Sequence, residues 1–145
     1  MTDLSDQLKL LPHGPEFRFI DRLLSLDPGN SGTAEFALTG SEPFLRGHFP
    51  GEPLLPGVLL VEAAAQLAGV VAQSHPGLPP LPGLKLTAIR GAKILGTAKP
   101  GETVRFHAKI DGRINNLIQA SVSADIDGRK LLESSLTLSG EATAN

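Results

Sequence analysis

The polar and apolar positions of the chain fall into distinct regimes. In the last third they alternate with a period of two. Val104, Phe106, Ala108 and Ile110 alternate with Arg105, His107 and Lys109, and Ile118, Ala120, Val122, Ala124 and Ile126 repeat the pattern. Leu132, Ser134, Leu136 and Leu138 complete it. Such alternation predicts antiparallel strands with one buried face, and Asp111–Gly112 and Asp127–Gly128 between the runs predict hairpin turns. Nearer the N-terminus, RFIDRLLSL (18–26) and SGTAEFAL (31–38) predict a strand pair joined by the turn DPGN. Between the two regions lies GVLLVEAAAQLAGVVAQ (57–73), apolar at almost every position. It follows Pro56 and stops before His75–Pro76–Gly77, which cannot continue a helix. A helix apolar nearly all round must be enclosed. Loops rich in Pro and Gly flank it at 40–57 and 76–83, and the second leads to KLTAIRGAKI (85–94). The order is therefore strand pair, helix, strand meander. The expected fold is α+β over residues 1–145 as one domain: a central helix roughly 25 Å long, wrapped by a curved antiparallel sheet.

Composition narrows the function classes. A chain of 145 residues, 41% hydrophobic and 19% charged, has the make-up of a globular domain. A net charge of −2 supplies no basic field for nucleic acid. The absence of cysteine removes disulfides, thiolate catalysis and cysteine metal sites, and it fits a reducing compartment. The start, MTDLSDQLKLLPH, lacks the basic and apolar regions of a signal peptide. Residues 54–73 contain Glu62 and Gln66 and are not read as a membrane span. The expected location is the cytoplasm.

The chemistry concentrates in RGHFPGEPLLPGVLLVEAAAQLAGVVAQ (46–73). At about 100° per residue, Glu62, Gln66, Gly69 and Gln73 share one narrow stripe of the helix. The stripe either touches solvent or lines a cleft or dimer seam. A carboxyl held among Val, Leu and Ala is costly to ionise, which suits Glu62 to donating a proton. His48 stands fourteen residues earlier, in a loop stiffened by Pro50, Pro53 and Pro56, where a fixed imidazole is a candidate general base. Gly57 opens the helix, and the backbone N–H groups there can receive a developing oxyanion. A base, an acid and an oxyanion donor together suit proton abstraction beside a carbonyl, followed by loss of a beta hydroxyl. His13, His75 and His107 occupy separate contexts. His75 reads as part of the helix end and His107 as a solvated strand residue, so no metal site is expected. No G-x-S-x-G elbow, P-loop or G-x-G-x-x-G occurs.

LPHGPEFRFIDRLL followed by EPFLRGHFPGEPLLPGVLLVEAAAQ resembles the beta-hydroxyacyl-acyl carrier protein dehydratases of the FabZ-type hotdog proteins. The resemblance runs from about residue 11 to the end of the chain, densest over 42–66. It implies a hotdog fold and a homodimer joined edge to edge, possible as a trimer of dimers, with each active site shared between subunits. It further implies that His48 removes the proton alpha to the thioester carbonyl and that the partner subunit's Glu62 protonates the departing hydroxyl. Gly57 would hold the carbonyl oxygen and Gln66 would support the acid, with Val58 and Phe49 beside the substrate. The substrate would arrive on the phosphopantetheine of an acyl carrier protein, with no other cofactor. Three departures stand out. Gly14–Pro15–Glu16 replaces an Arg–Tyr–Pro run, the chain has no tyrosine to gate an acyl tunnel, and the basic segment becomes AKILGTAKPGE (92–102), with Lys93 and Lys99 left to meet an acidic carrier. A hotdog thioesterase and a non-catalytic acyl-binding subunit are the competing readings. Hydrolysis needs no base aimed at the alpha carbon, and the intact His48, Gly57 and Glu62 argue against a binding subunit.

Overall fold

The computed structural model describes Leu8, residues 18–42, Leu45 and residues 55–141. Six strands and one long helix are present among them: β1 (Arg22–Asp27), β2 (Ser31–Ala37), α1 (Gly57–Gln73), β3 (Lys85–Ile94), β4 (Thr103–Ile114), β5 (Leu117–Ile126) and β6 (Arg129–Ser139). The strands form one antiparallel sheet in the order β1-β2-β4-β5-β6-β3. Helix α1 packs on one face of it, the α+β hotdog arrangement expected from the sequence.

The period-two residues build that packing. Val104, Phe106, Ile118, Ala120, Val122, Ala124, Leu132, Leu136 and Leu138 are buried on the helix side of the sheet. They meet Leu60, Ala64, Leu67, Ala68, Val70 and Val71 of α1. Helix and sheet approach closely where β2 carries Gly32, since a Cβ there would lie 3.0 Å from Val71 Cγ2. The far end of α1 is tied down by the first turn, whose Gly29 N–H donates to the Val71 carbonyl at 3.0 Å. Gly29 sits at φ 79°, a backbone region that favours glycine.

Three expectations are corrected. Strand β1 starts at Arg22 rather than residue 18, because Phe19 and Ile20 are buried as irregular chain and the Phe19 N–H is held by Gln66 instead of a neighbouring strand. Asp111–Gly112 is not a hairpin turn. The β4–β5 register shifts between Ile110 and Gly112, a bulge, and β4 runs on to pair Arg113 with Ile118 and Ile114 with Leu117. The chain reverses at Asn115–Asn116, with Asn115 at φ 54°. Asp127–Gly128 does turn the chain, at φ 49° and 85°. Finally, the meander is limited to β4–β5–β6. Strand β3 lies beyond β6 as an edge of the sheet, and nearly all of its residues are exposed.

Candidate active site

Helix α1 is buried along most of its surface, and its less buried positions are not scattered. Val58, Leu59, Glu62, Gly69 and Gln73 are the residues between Val58 and Gln73 that are only partly covered or exposed. All fall within about 60° of Glu62 around the helix axis. The expected stripe is therefore partly open at Glu62, Gly69 and Gln73 and closed at Gln66 between them. The expectation of a fully enclosed helix and a buried acid is corrected accordingly: Glu62 is half-buried, because it stands where the stripe is open.

Gln66, one turn on, is the buried member of the set at 2% exposure. Its Oε1 accepts the Phe19 N–H at 3.0 Å, and its Nε2 donates to Glu62 Oε1 at 3.2 Å. A backbone N–H can only donate, so Phe19 fixes which end of the amide faces the acid. Phe19 is itself held by packing, with its ring edge-on to Phe36 at 6.4 Å and 77° between planes. The hydrogen bond places Gln66 beside Glu62, while the contact of Phe19 with Gln66 is not visible in the sequence. The two residues are 47 positions apart, and a backbone donor leaves no mark on residue type.

At the helix start no side chain caps α1, whose N-cap is Pro56, and no acidic residue lies in the first turn. The first N–H groups of a helix have no partner within it and point out of its end. The entry is fixed by the Leu55 N–H, which donates to the Ala98 carbonyl at 2.9 Å in the loop after β3. Ile94 lies over Gly57, close enough that a Cβ on Gly57 would be 3.0 Å from Ile94 Cδ1. Val58 is 72% exposed and stands at the head of the stripe. Gly57 and Glu62 are about 140° apart around the axis, so they do not converge on one point of the same helix.

His48 and Phe49 lie outside the described residues, as do His13 and the LPH start. The chain just before the His48 segment is braced by Glu42, whose carboxylate accepts Thr39 Oγ1 at 2.6 Å and the Thr39 and Gly40 N–H groups at 2.9 and 2.8 Å. Desolvation pushes the Glu42 carboxyl up, and these hydrogen bonds outweigh it, leaving it below the ordinary glutamate value.

Lys93 lies on β3 opposite Glu133, and Lys99 lies in the loop that follows. Lys93 borders a depression of about 800 Å³ on the sheet face away from α1, together with Arg90, Lys109 and Lys130. Glu62, Gln66 and Gly57 are not among its lining residues, so the candidate site is located by its chemistry rather than by this concavity. His107 is not simply solvated. Its Nε2 lies 2.7 Å from Asp125 Oδ1. Desolvation raises the Asp125 carboxyl, but the Gly128 N–H, the His107 bond and the charges of His107 and Arg105 together hold it below the ordinary aspartate range. His75 follows the helix end as expected, its Nδ1 accepting the Gly77 N–H at 3.0 Å. Among the described residues no cluster of His, Asp and Glu could hold a metal, and no helix is long and apolar enough to cross a membrane.

One helix packed on a six-stranded antiparallel sheet defines a hotdog fold. Residues 11–135 match the FabA-like domain family, and the chain belongs to that family. The chain is 36% identical over 135 residues to the 3-hydroxyacyl-[acyl-carrier-protein] dehydratase FabZ of Rickettsia bellii (strain RML369-C), covering 93% of each. It is 36% identical over 137 residues to the same enzyme of Rickettsia massiliae (strain Mtu5), covering 94% of each. Among solved structures it resembles the dehydratase heterocomplex ApeI:P from Xenorhabdus doucetiae, with TM-score 0.80 at 15% identity over 94% of this chain and 91% of that one. A hypothetical thioesterase with coenzyme A from Streptococcus pneumoniae shares the fold at TM-score 0.70 and 11% identity, over 98% of this chain and 99% of that one.

Proposed function

We propose that the chain, as a single hotdog domain, dehydrates beta-hydroxyacyl thioesters carried on acyl carrier protein to trans-2-enoyl thioesters, within fatty-acid or related acyl-chain synthesis. The observation that carries this reading is the Phe19–Gln66–Glu62 chain, which sets an acid at an open point of an otherwise buried helix. In the proposed reaction His48 takes the proton alpha to the carbonyl. The Gly57 N–H receives the charge on the carbonyl oxygen, the bond to the beta oxygen breaks, and Glu62 delivers a proton so that water leaves. Each step moves a proton between the substrate and His48 or Glu62, or an electron pair within the substrate, so oxidation states do not change and the reaction calls for no redox group; the acyl chain would arrive on the carrier's phosphopantetheine arm.

A second copy of the chain completes the site in this account. The Gly57 N–H faces out of the helix start while Glu62 lies about 7.5 Å further along the axis, a separation that supports an acid supplied from the partner subunit. Strand β3 supports the same reading. It is a ten-residue edge with Ile89 and Ile94 exposed at 52% and 48%, and Leu95 beyond it at 57%. A long edge strand with unpaired backbone groups and exposed isoleucines can receive another strand. We therefore place β3 at the seam of a homodimer, and we assign Lys93 and Lys99 to the docking of an acidic carrier. A cytoplasmic site of action fits the cysteine-free composition. Incubation with a 3-hydroxyacyl thioester, followed by mass spectrometry, tests the reaction. Loss of one water from an intact thioester supports it, whereas release of the free thiol without dehydration would sink it.

A further inference from the structure

The sheet face turned away from α1 combines short hydroxyl residues with long cationic ones. Lys109, Ser121, Ser135 and Arg90 are paired in that order across β4, β5, β6 and β3. Thr33, His107, Ser123, Glu133 and Lys93 form the neighbouring row. Lys109 and Arg90 stand three strand spacings apart, about 14 Å at the backbone, so the serines between them floor a trough. This is the depression of about 800 Å³. Arg90, Lys93, Lys109 and Lys130 line it against one carboxylate, Glu133; four cations less one acid leave three positive charges, with His107 not counted. The acids nearby are engaged. Glu133 meets Lys130 at 3.4 Å, Asp125 meets His107 at 2.7 Å, and Asp111 accepts the Ser121 hydroxyl at 2.5 Å. Arg90, Lys93 and Lys109 form no ion pair among the described residues.

We propose that this trough binds a compact oligophosphate, two or more linked phosphates held between Lys109 on one wall and Arg90 and Lys93 on the other. Unpaired cations on long stems call for an anion, and hydroxyl and cationic donors are the groups that hold phosphate oxygens. A lone phosphate meets one wall and leaves the other unpaired. A protein partner fits the lining less well, because interfaces gather aromatic and large apolar residues at their centre. No Phe, Leu, Ile or Met lines this depression. The trough lies across the sheet from α1 and Glu62, so the proposal stands apart from the dehydratase reading, and its ligand leaves the thioester site free.

Isothermal titration calorimetry on the full chain tests this, in about 150 mM salt so that exposed charges more than about 8 Å apart are largely screened. The probes are tripolyphosphate, orthophosphate and a hexaglutamate peptide. Tripolyphosphate is expected to bind a single site per chain, about tenfold or more tighter than either of the others. Arg90→Gln and Lys109→Gln are each expected to weaken it about tenfold, the loss of one charge-assisted hydrogen bond, and the double variant about a hundredfold. Lys85→Gln removes a cation of β3 that lies outside the depression, and it is expected to leave the affinity within about twofold. Without ligand each variant should melt within about 2 °C of wild type, since the replaced side chains are exposed. No binding of tripolyphosphate, unchanged affinity in the double variant, or an equal loss with Lys85→Gln would overturn the site. Hexaglutamate binding as tightly as tripolyphosphate would overturn the ligand class and make this face a protein-docking surface instead.

Discussion

Replacing Gln66 with leucine examines the site where its geometry is best defined. The two side chains are close in volume, so the core at this 2%-exposed position should not open a cavity. What disappears is polar: the acceptor for the Phe19 N–H at 3.0 Å and the donor to Glu62 at 3.2 Å. Withdrawing the partner of a buried backbone donor costs about 1–3 kcal/mol, and the gain from a leucine side chain offsets only part of it. A net loss of about 1–2 kcal/mol lowers the melting temperature by roughly 3–8 °C in a chain of this size. The effect on turnover is separate, because Glu62 would keep its place on the helix but lose the Gln66 Nε2 hydrogen bond to its carboxyl. Misplacing a catalytic group by about 1 Å can cost on the order of 100-fold, so kcat is expected to fall about 10- to 100-fold while KM changes little. Differential scanning fluorimetry and steady-state hydration of a crotonyl thioester provide the two readouts. Gln66→Glu separates them, since it keeps an acceptor for Phe19 but sets a second carboxylate beside Glu62. It should recover much of the lost stability at acid pH and none of the activity at neutral pH. The reasoning fails if Gln66→Leu melts within a degree of wild type at full turnover.

Two further predictions concern the seam and the loop before His48. His48→Ala and Glu62→Ala should each abolish turnover while the oligomer persists, and mixing the two inactive variants should restore activity in mixed dimers; exchange of subunits without recovery argues against a shared site. Glu42 is held below its ordinary value of 4.5 by the Thr39 and Gly40 donors, so its contribution to stability is complete above that pH and is lost as the pH falls through the lower folded-state value. Glu42→Gln should therefore lower the melting temperature at neutral pH and converge with wild type in strong acid, and a gap that persists or widens there would contradict the assignment.

The parts of the fold legible in the sequence are those that a local pattern determines. The apolar run from Gly57 to Gln73 has a proline before it and a His–Pro–Gly after it, and the helix ends where those residues require. The alternation in β5 and β6 sets the buried face because a side chain's side of the sheet follows from parity alone. Turns were harder to place where two signals competed. Asp111–Gly112 has the composition of a hairpin, but continuing to Asn115–Asn116 gains three further paired positions, and Asp111 is absorbed as a bulge. Strand order was not legible at all. Nothing in KLTAIRGAKI says whether it joins β4 or β6, and its exposure follows from the edge position. In the candidate site the angular stripe could be computed from spacing, and the observed exposures trace the same face. The anchoring of Gln66 by a backbone N–H, Ile94 over Gly57 and Asp125 beside His107 are long-range contacts that no spacing rule encodes.

The central claim is that His48 and Glu62 move protons on a carrier-borne acyl thioester. It is tested most directly by following absorbance at the enoyl-thioester band with purified protein and a crotonyl thioester on acyl carrier protein, alongside His48→Ala and Glu62→Gln. The account predicts a fall in absorbance as water adds across the double bond, no free thiol, and no fall with either variant. Steady absorbance with wild type, or a fall that comes with released thiol and survives both substitutions, would contradict it.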